Sequence, residues 1–157
     1  MARWEEFAEA APEMAALGLG LLAQHGLAYL ATTRKDGSPR VNPVCPFIGL
    51  GRLYIATAPT SPKRLDLARD GRYALHMLPG KDDAEFSVEG RARLVSDEAE
   101  RERVMAAGRE TPMPGGGTLN LSAEEWLFEY EIESAASATW ENVGQPNTRP
   151  IRQRWRE

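Results

Sequence analysis

The fold is decided by residues 27–78, which read LAYLATT-RKDGSP-RVNPVCPFI-GLG-RLYIAT-APTSPKRLDLA-RDG-RYALHML. Four apolar, β-rich segments lie at 27–33, 40–48, 52–57 and 73–78, and most of the breaks between them are short turns. Asp-Gly at 36–37 is typical of a hairpin turn, because this pair tolerates positive φ. Residues 62–68 have helical character and Gly71 closes them. The stretch therefore predicts antiparallel strands with one short helix between the third and the fourth.

The flanking segments extend this pattern on both sides. Residues 3–10 and 12–24 predict two helices, residues 86–95, 126–133 and 138–143 predict strands, residues 97–107 predict a helix, and residues 145–157 predict a polar, arginine-rich tail. The glycine-rich loop at 111–118 is expected to be flexible and could serve as a lid. Six or seven strands with few long helices favour an antiparallel barrel over a parallel sheet. We expect a mainly β (α+β) fold with short peripheral helices.

Composition limits the classes of function. A chain of 157 residues predicts one domain, over residues 1–157, with a compact core. A net charge of -4 argues against nucleic acid as a main partner, since nucleic-acid binding needs a basic surface. The single cysteine excludes an internal disulfide, the acidic start is unlike a signal peptide, and the apolar run at 18–22 is too short to span a bilayer. We expect a cytoplasmic protein that acts on a small molecule and has no membrane partner.

Chemistry-bearing residues concentrate at 57–64, where a strand is followed by a helix. A phosphate dianion requires free backbone N–H groups, short hydroxyl donors and a cation, and a helix N-terminus with Thr57, Ser61, Lys63 and Arg64 offers all three. The alternative is that Thr60 or Ser61 only caps the helix while the cations are solvated. The segment predicts an anion site, with simple capping as the competing interpretation.

Arg40 is the next candidate ligand for this anion. It opens the second predicted strand, and a meander would place that strand beside the third. The guanidinium would then reach the same phosphate bidentately. The alternative is a surface arginine at the start of a strand.

The remaining chemistry-bearing residues give weaker indications. His76 on the fourth strand is a candidate proton donor, but a lone strand histidine is more often packed or exposed. Cys45, between two prolines, is better explained as a small buried residue than as a nucleophile. Two histidines and one cysteine do not form a zinc site of recognisable spacing. Trp155, among arginines near the end of the chain, could stack on a flat cofactor, seal a subunit interface or pack internally.

Five segments, in their order and spacing, resemble the pyridoxamine 5'-phosphate oxidase-like family. They are YLATT at 29–33, DGSPRVNPV at 36–44, LYIAT at 53–57, SPKRL at 61–65 and YAL at 73–75. The resemblance implies a Greek-key split β-barrel that forms a homodimer. It also implies that FMN, or in one branch the deazaflavin F420, lies in a groove between the two subunits.

The resemblance also implies roles for particular residues. The second strand, with Arg40, Val41 and Asn42, would lie along the flavin. Ala56 and Thr57 would lie near the ring or the ribityl chain, and Ser61 and Lys63, with Arg64 adjacent, would contact the phosphate. These expectations agree with the anion site predicted from the residues alone.

The chain also departs from the family pattern. Vitamin B6 oxidases carry a C-terminal substrate motif with arginine and histidine, but no histidine follows His76, which argues against oxidation of pyridoxamine phosphate. Haem-handling relatives usually need a late histidine ligand. Pro62 precedes Lys63 where a second basic residue is expected, which weakens one phosphate contact.

The sequence thus predicts an FMN-dependent oxidoreductase with no assigned catalytic side chain. Three alternatives remain open. The first is a reductase that uses F420, a ligand whose long acidic tail would meet Arg64, Arg69 and Arg72. The others are a non-catalytic flavin-binding or sensing protein and a barrel that has lost its cofactor.

Overall fold

The computed structural model describes all 157 residues, and its architecture is mainly β, as predicted. The strands are β1 (Ala28–Thr33), β2 (Pro39–Val44), β3 (Phe47–Gly49), β4 (Arg52–Thr57), β5 (Arg72–Met77), β6 (Glu85–Leu94), β7 (Trp126–Glu141) and β8 (Arg149–Arg156). The helices are α1 (Trp4–Ala10), α2 (Pro12–His25), α3 (Lys63–Arg69) and α4 (Glu98–Arg109), with a short 3-10 turn at Lys81–Asp83. None of these helices is long and apolar enough to cross a membrane.

All eight strands belong to one antiparallel sheet, in the order β2-β1-β5-β6-β7-β4-β3, with β8 paired to the second half of β7. β5, β6 and β7 are consecutive neighbours, and β4 returns to lie beside β7, which is a Greek-key arrangement. The predicted split β-barrel with peripheral helices is therefore confirmed. On its second side, β7 pairs with β4 over residues 126–130 and with β8 over residues 134–141, and Ala2 bridges to Ile132 between them.

Two apolar clusters lie on opposite sides of β4. The larger one fills the concave side of the sheet and includes Leu30, Leu53 and Phe128, with Phe7 of α1 fully buried among them. The smaller one lies under α4 and includes Tyr54 of β4. Because β4 is packed on both faces, its last residues are held by rigid surroundings. This rigidity fixes the point at which the chain leaves β4 towards α3.

The predicted second strand, residues 40–48, is wrong as a single strand. β2 ends at Val44, and Phe47–Gly49 forms β3 at the opposite end of the sheet order. Pro46 lies at the break, where its missing N–H cannot continue a ladder. The expected pairing of the second strand with the third predicted strand, now β4, is also wrong, because β2 pairs only with β1.

The end of the chain also differs from the prediction. Residues 138–143 do not form a separate strand, because β7 runs without a break to Glu141. The expected polar tail instead contains β8, and its Trp155 packs edge-on against Phe7 with ring centroids 5.1 Å apart. The sequence did not predict this strand, because its residues are mostly polar and β8 buries little more than the Trp155 ring.

The loop at 111–118 contains internal hydrogen bonds, and its expected flexibility stays a prediction. Pro112 and Thr118 form an isolated bridge, and the Met113 N–H donates to the carbonyl of Gly117 at 3.1 Å. The loop is therefore a hydrogen-bonded hairpin, and its proposed role as a lid stays a prediction.

Candidate functional site

The corner between β4 and α3 brings together a hydroxyl and a half-buried ammonium group. α3 begins at Lys63 with Pro62 at the cap position, and no side chain caps the helix, so the predicted cap by Thr60 or Ser61 is wrong. The Ser61 hydroxyl oxygen instead accepts a hydrogen bond from Lys63 Nζ at 3.0 Å. The hydrogen bond holds the two side chains together, and an anion bound at this pair stays a prediction.

Burial and a nearby cation act on Lys63. Burial lowers the pKa of its ammonium group, and the positive charge of Arg40 lowers this pKa further. The ammonium is only partly solvated, and its side-chain hydrogen bond goes to the Ser61 hydroxyl rather than to a carboxylate. A bound anion would relieve this deficit.

Arg40 reaches this corner through Asp66 of α3 and not through β4. Its Nε donates to Asp66 Oδ2 at 2.7 Å, and the same oxygen accepts from the Thr32 hydroxyl at 3.2 Å. Thr32 and Arg40 are cross-strand partners of β1 and β2, so both side chains lie on the face that α3 covers. Arg69 Nη1 lies 3.5 Å from the other carboxylate oxygen. The structure therefore brings Arg40 near Lys63 by a route that the meander prediction did not contain.

Two buried polar atoms at the same corner have no hydrogen-bond partner. They are Thr57 Oγ1, in a residue only 1% exposed, and Arg64 Nη1. Arg64 is held in place because its Nε donates to the carbonyl of Pro59 at 2.5 Å and its guanidinium lies 4.9 Å from the centre of the Trp126 ring. Buried polar groups are nearly always paired, so these two atoms indicate a ligand or water position.

The other predicted contacts lie on neighbouring strands. By strand alternation, Arg40 and Asn42 share one face of β2, while Val41 lies on the opposite face and is exposed. Ala56, half-buried on β4, packs against the smaller apolar cluster. The structure does not join these three residues, Val41, Asn42 and Ala56, to the Ser61–Lys63 pair. The outer edge of β2 is unpaired, which leaves room for a ligand beside Val41 and Asn42. Contact of these three residues with a flavin stays a prediction.

A cavity of about 690 Å³ opens beside this corner. Its walls are made of four cations, two carboxylates and two other residues, namely Arg34, Lys35, Arg40, Arg69, Asp36, Asp66, Pro62 and Leu65. Sequence reasoning missed Asp66 and the hairpin cations Arg34 and Lys35. A carboxylate three residues after Lys63, inside a cation-rich segment, was the available indication for Asp66.

Two weaker candidates have ordinary surroundings. His76 Nδ1 lies 2.6 Å from the carbonyl oxygen of Met77. Burial raises the pKa of the Cys45 thiol, which favours the unreactive protonated form. No group of three or more His, Cys, Asp or Glu side chains is placed to hold a metal ion.

Sequence comparison with known proteins finds a family match. A family model described as "Pyridoxamine 5'-phosphate oxidase" matches residues 19–130, which include every predicted contact residue. No curated protein matches the chain.

Solved structures share the fold at low identity. An FMN-binding protein of Nostoc punctiforme, related to pyridoxamine 5'-phosphate oxidase, is 14% identical with a TM-score of 0.59 over 98% of both chains. PhzG of Burkholderia lata, in complex with tetrahydrophenazine-1-carboxylic acid, is 13% identical with a TM-score of 0.61 over 96% of this chain and 92% of PhzG. A heme binding protein of Mycobacterium smegmatis is 15% identical with a TM-score of 0.58 over 87% of this chain and 56% of that protein. These likenesses support the fold, and the ligand must be argued from the site.

Proposed function

The chain belongs to the pyridoxamine 5'-phosphate oxidase family, and from that premise we propose that it is an oxidoreductase that binds FMN through its phosphate. The observation that carries the proposal is the β4–α3 corner. There the Ser61–Lys63 pair lies within the field of Arg40, beside the buried atoms Thr57 Oγ1 and Arg64 Nη1, which lack partners. A phosphate group supplies acceptor oxygens for such donors.

The charges at this corner favour a dianion over a neutral ligand. Lys63 is half-buried and has no carboxylate partner, so its charge is poorly screened by water. Arg40 uses Nε for Asp66 and keeps its two terminal nitrogens free of hydrogen bonds, which is the fork that binds phosphate bidentately. Phosphate binding would therefore be worth more here than at an exposed pair of cations.

FMN, when bound, would supply the redox chemistry by accepting and giving a hydride. The residues of this chain would anchor the phosphate, orient the ring along β2 and exclude water from the groove. We assign no acid or base, because the two histidines and Cys45 lie outside this corner.

We propose that the groove is completed by a second copy of the chain in a cytoplasmic homodimer. β2 has an unpaired outer edge, and the outward face of β1 and β2 exposes Tyr29 (50%) and Val41 (60%). Exposed sheet edges and apolar faces favour association with another chain. A partner on this face would cover both features and would enclose a ligand lying along β2.

The second candidate cofactor is F420, and the cavity of about 690 Å³ favours it. Arg34, Lys35 and Arg69 line this cavity and could meet the acidic tail. Arg72, which the sequence suggested for the tail, instead donates two 2.7 Å hydrogen bonds to Asp70. The cations of the β1–β2 hairpin replace it in this proposal.

Titration of the purified protein with FMN and with F420 distinguishes these proposals. We expect a flavin absorbance spectrum in the purified protein, or saturable binding of FMN if it is colourless. Tighter binding of F420 would favour the second candidate, and binding of neither would overturn both. Consumption of a reduced nicotinamide by the loaded protein would separate an enzyme from a protein that only binds flavin.

Replacing Lys63 tests the phosphate anchor directly. Lys63→Ala should weaken FMN binding by about ten- to a hundredfold, as expected for a charge-assisted hydrogen bond to a buried cation, and should change riboflavin binding little. Dissociation constants from flavin fluorescence give both values, and riboflavin is the matched control because it lacks only the phosphate. An equal loss for both ligands would show that the anion site lies elsewhere.

A further inference from the structure

We propose that Asp66 is a positioning residue that holds Arg40 for the flavin phosphate and so sets the preference for phosphorylated over unphosphorylated flavin. This inference rests on the proposed function. It concerns a carboxylate, a group that by charge alone would repel the ligand.

Arg40 contacts Asp66 through one of its three guanidinium nitrogens. Arg40 gives Asp66 only its Nε, at 2.7 Å, and this is the only hydrogen bond of its side chain. A guanidinium that binds through Nε has its plane fixed while both terminal nitrogens stay available. Arg40 also lines the cavity beside the corner, with its side chain 22% exposed. Arg40 therefore lines this cavity with two terminal nitrogens that make no hydrogen bond.

Asp66 is itself immobilised from three elements. It lies within α3, its side chain is only 6% exposed, and it accepts from Thr32 of β1 at 3.2 Å as well as from Arg40 of β2. Arg69 of the same helix lies 3.5 Å from its second oxygen. An exposed carboxylate would gain little by holding an arginine, because both side chains would lose conformational entropy. Here the entropy has been lost on folding, before any ligand binds.

The sign of the effect separates positioning from plain electrostatics. Removing the negative charge of Asp66 makes the groove more positive, so electrostatics alone predicts tighter binding of an anion. Loss of positioning predicts weaker binding, because Arg40 must then be ordered when the ligand binds. A purely structural role predicts equal changes for FMN and riboflavin.

The test measures dissociation constants of FMN and riboflavin for the full chain and for Asp66→Asn. We expect the preference for FMN over riboflavin to fall about tenfold, the effect of one charge-assisted hydrogen bond. Arg40→Lys should cause a similar fall, and the double variant should show little further loss, because both changes remove the same interaction. Asp70→Asn is the matched control, since it removes the same charge at the end of the same helix, where Asp70 pairs with exposed Arg72. It should leave the preference unchanged.

Thr32→Val provides a second variant in case Asp66→Asn folds poorly. It keeps every charge and removes only the hydroxyl that orients Asp66, so the preference for FMN should fall by a smaller factor. An unchanged or increased preference in Asp66→Asn, with wild-type protein that binds FMN, overturns this inference and leaves the proposed function intact. Wild-type protein that binds no flavin overturns both.

Discussion

Two buried carboxylates of this fold hold pairs of arginines in different ways. Asp66 is 5% exposed and lies at the β4–α3 corner, while Glu129 of β7 is 1% exposed and lies beside α4. Glu129 receives Arg52 Nη1 at 2.9 and 3.0 Å on its two oxygens and Arg93 Nη2 at 2.5 Å. At Glu129 the arginines thus donate through their terminal nitrogens, whereas Arg40 donates to Asp66 through Nε alone.

The surroundings of the two clusters reinforce this difference. A second carboxylate, Glu100 of α4, lies 3.9 Å from Arg52 and 3.8 Å from Arg93, so the Glu129 cluster balances two cations with two anions. Asp66 stands among Arg40, Arg69 and the nearby Lys63, which leaves positive charge in excess. The Glu129 cluster joins β4, β6 and β7, whereas the Asp66 cluster has the excess of positive charge that our proposal assigns to the binding of an external anion.

The largest expected effect comes from breaking the Glu129 cluster. Glu129→Gln should lower the free energy of unfolding by about 3 kcal/mol, at the lower end of the range for a broken buried ion pair, because Arg93 can still reach water. Urea denaturation measures the loss. The ratio of FMN to riboflavin affinity should not change, since neither arginine reaches the β4–α3 corner.

A loss below about 1 kcal/mol would contradict this view of the Glu129 cluster, because that is the range of exposed ion pairs. A change in the flavin ratio similar to that of Asp66→Asn would also contradict it, since the two clusters would then be coupled. Either result would remove the distinction between a cluster that stabilises and a cluster that binds.

Sequence reasoning predicted the frame of the fold because its evidence was local. The Asp36-Gly37 turn and the helices over 12–24 and 97–107 occur as predicted. Gly26, in the left-handed conformation, ends α2, and Asp97 caps α4 by accepting from the Glu100 N–H at 2.7 Å. The sheet order depends on contacts between distant residues, and those were not predicted. β8 was missed because its apolar side chains are few, and the break at Pro46 was missed because apolar residues flank it on both sides.

The candidate site was predicted in part for the same reason. Ser61 and Lys63 are two residues apart, so their convergence followed from the local chain. Arg40 was expected to arrive through β4, but the structure brings it across β1 to Asp66. Such a route depends on which helix covers which strands, and the sequence pattern does not contain that information. The buried, unpartnered atoms of Thr57 and Arg64 likewise emerge only from packing.

Lys63 lies near the Asp66 cluster, so FMN affinity should change with pH through the titration of Lys63 and not through the Glu129 cluster. Burial, and then Arg40, lower the pKa of Lys63 in the free protein, whereas a bound phosphate favours the charged form. FMN binding should therefore take up a proton, and FMN affinity should fall with rising pH, starting below the ordinary lysine value of about 10.4. In the free protein, the effect of Lys63 on stability has the opposite dependence on pH. The unfolded chain binds more protons in this interval, so Lys63 makes the free protein more stable as pH rises.

Dissociation constants between pH 7 and pH 10 measure this effect, with riboflavin as the control for titration of the flavin ring itself. Lys63→Arg should abolish the fall, because arginine stays charged throughout. A fall of the same size in riboflavin binding, or in Lys63→Arg, would assign the pH dependence to another group.

The smallest expected effect concerns Arg149 and Glu141, an ion pair without burial. Arg149 Nη2 lies 2.6 Å from the carboxylate, as close as the contacts inside the two clusters, but the side chains are 71% and 40% exposed. Arg149→Ala should lower the free energy of unfolding by no more than about 0.5 kcal/mol, because water screens the charges. Urea denaturation of Arg149→Ala and of Glu129→Gln under the same conditions compares the two losses of unfolding free energy directly. A loss approaching that of Glu129→Gln would show that distance rather than burial sets the strength of these pairs, and the contrast between Asp66 and Glu129 would then need another cause.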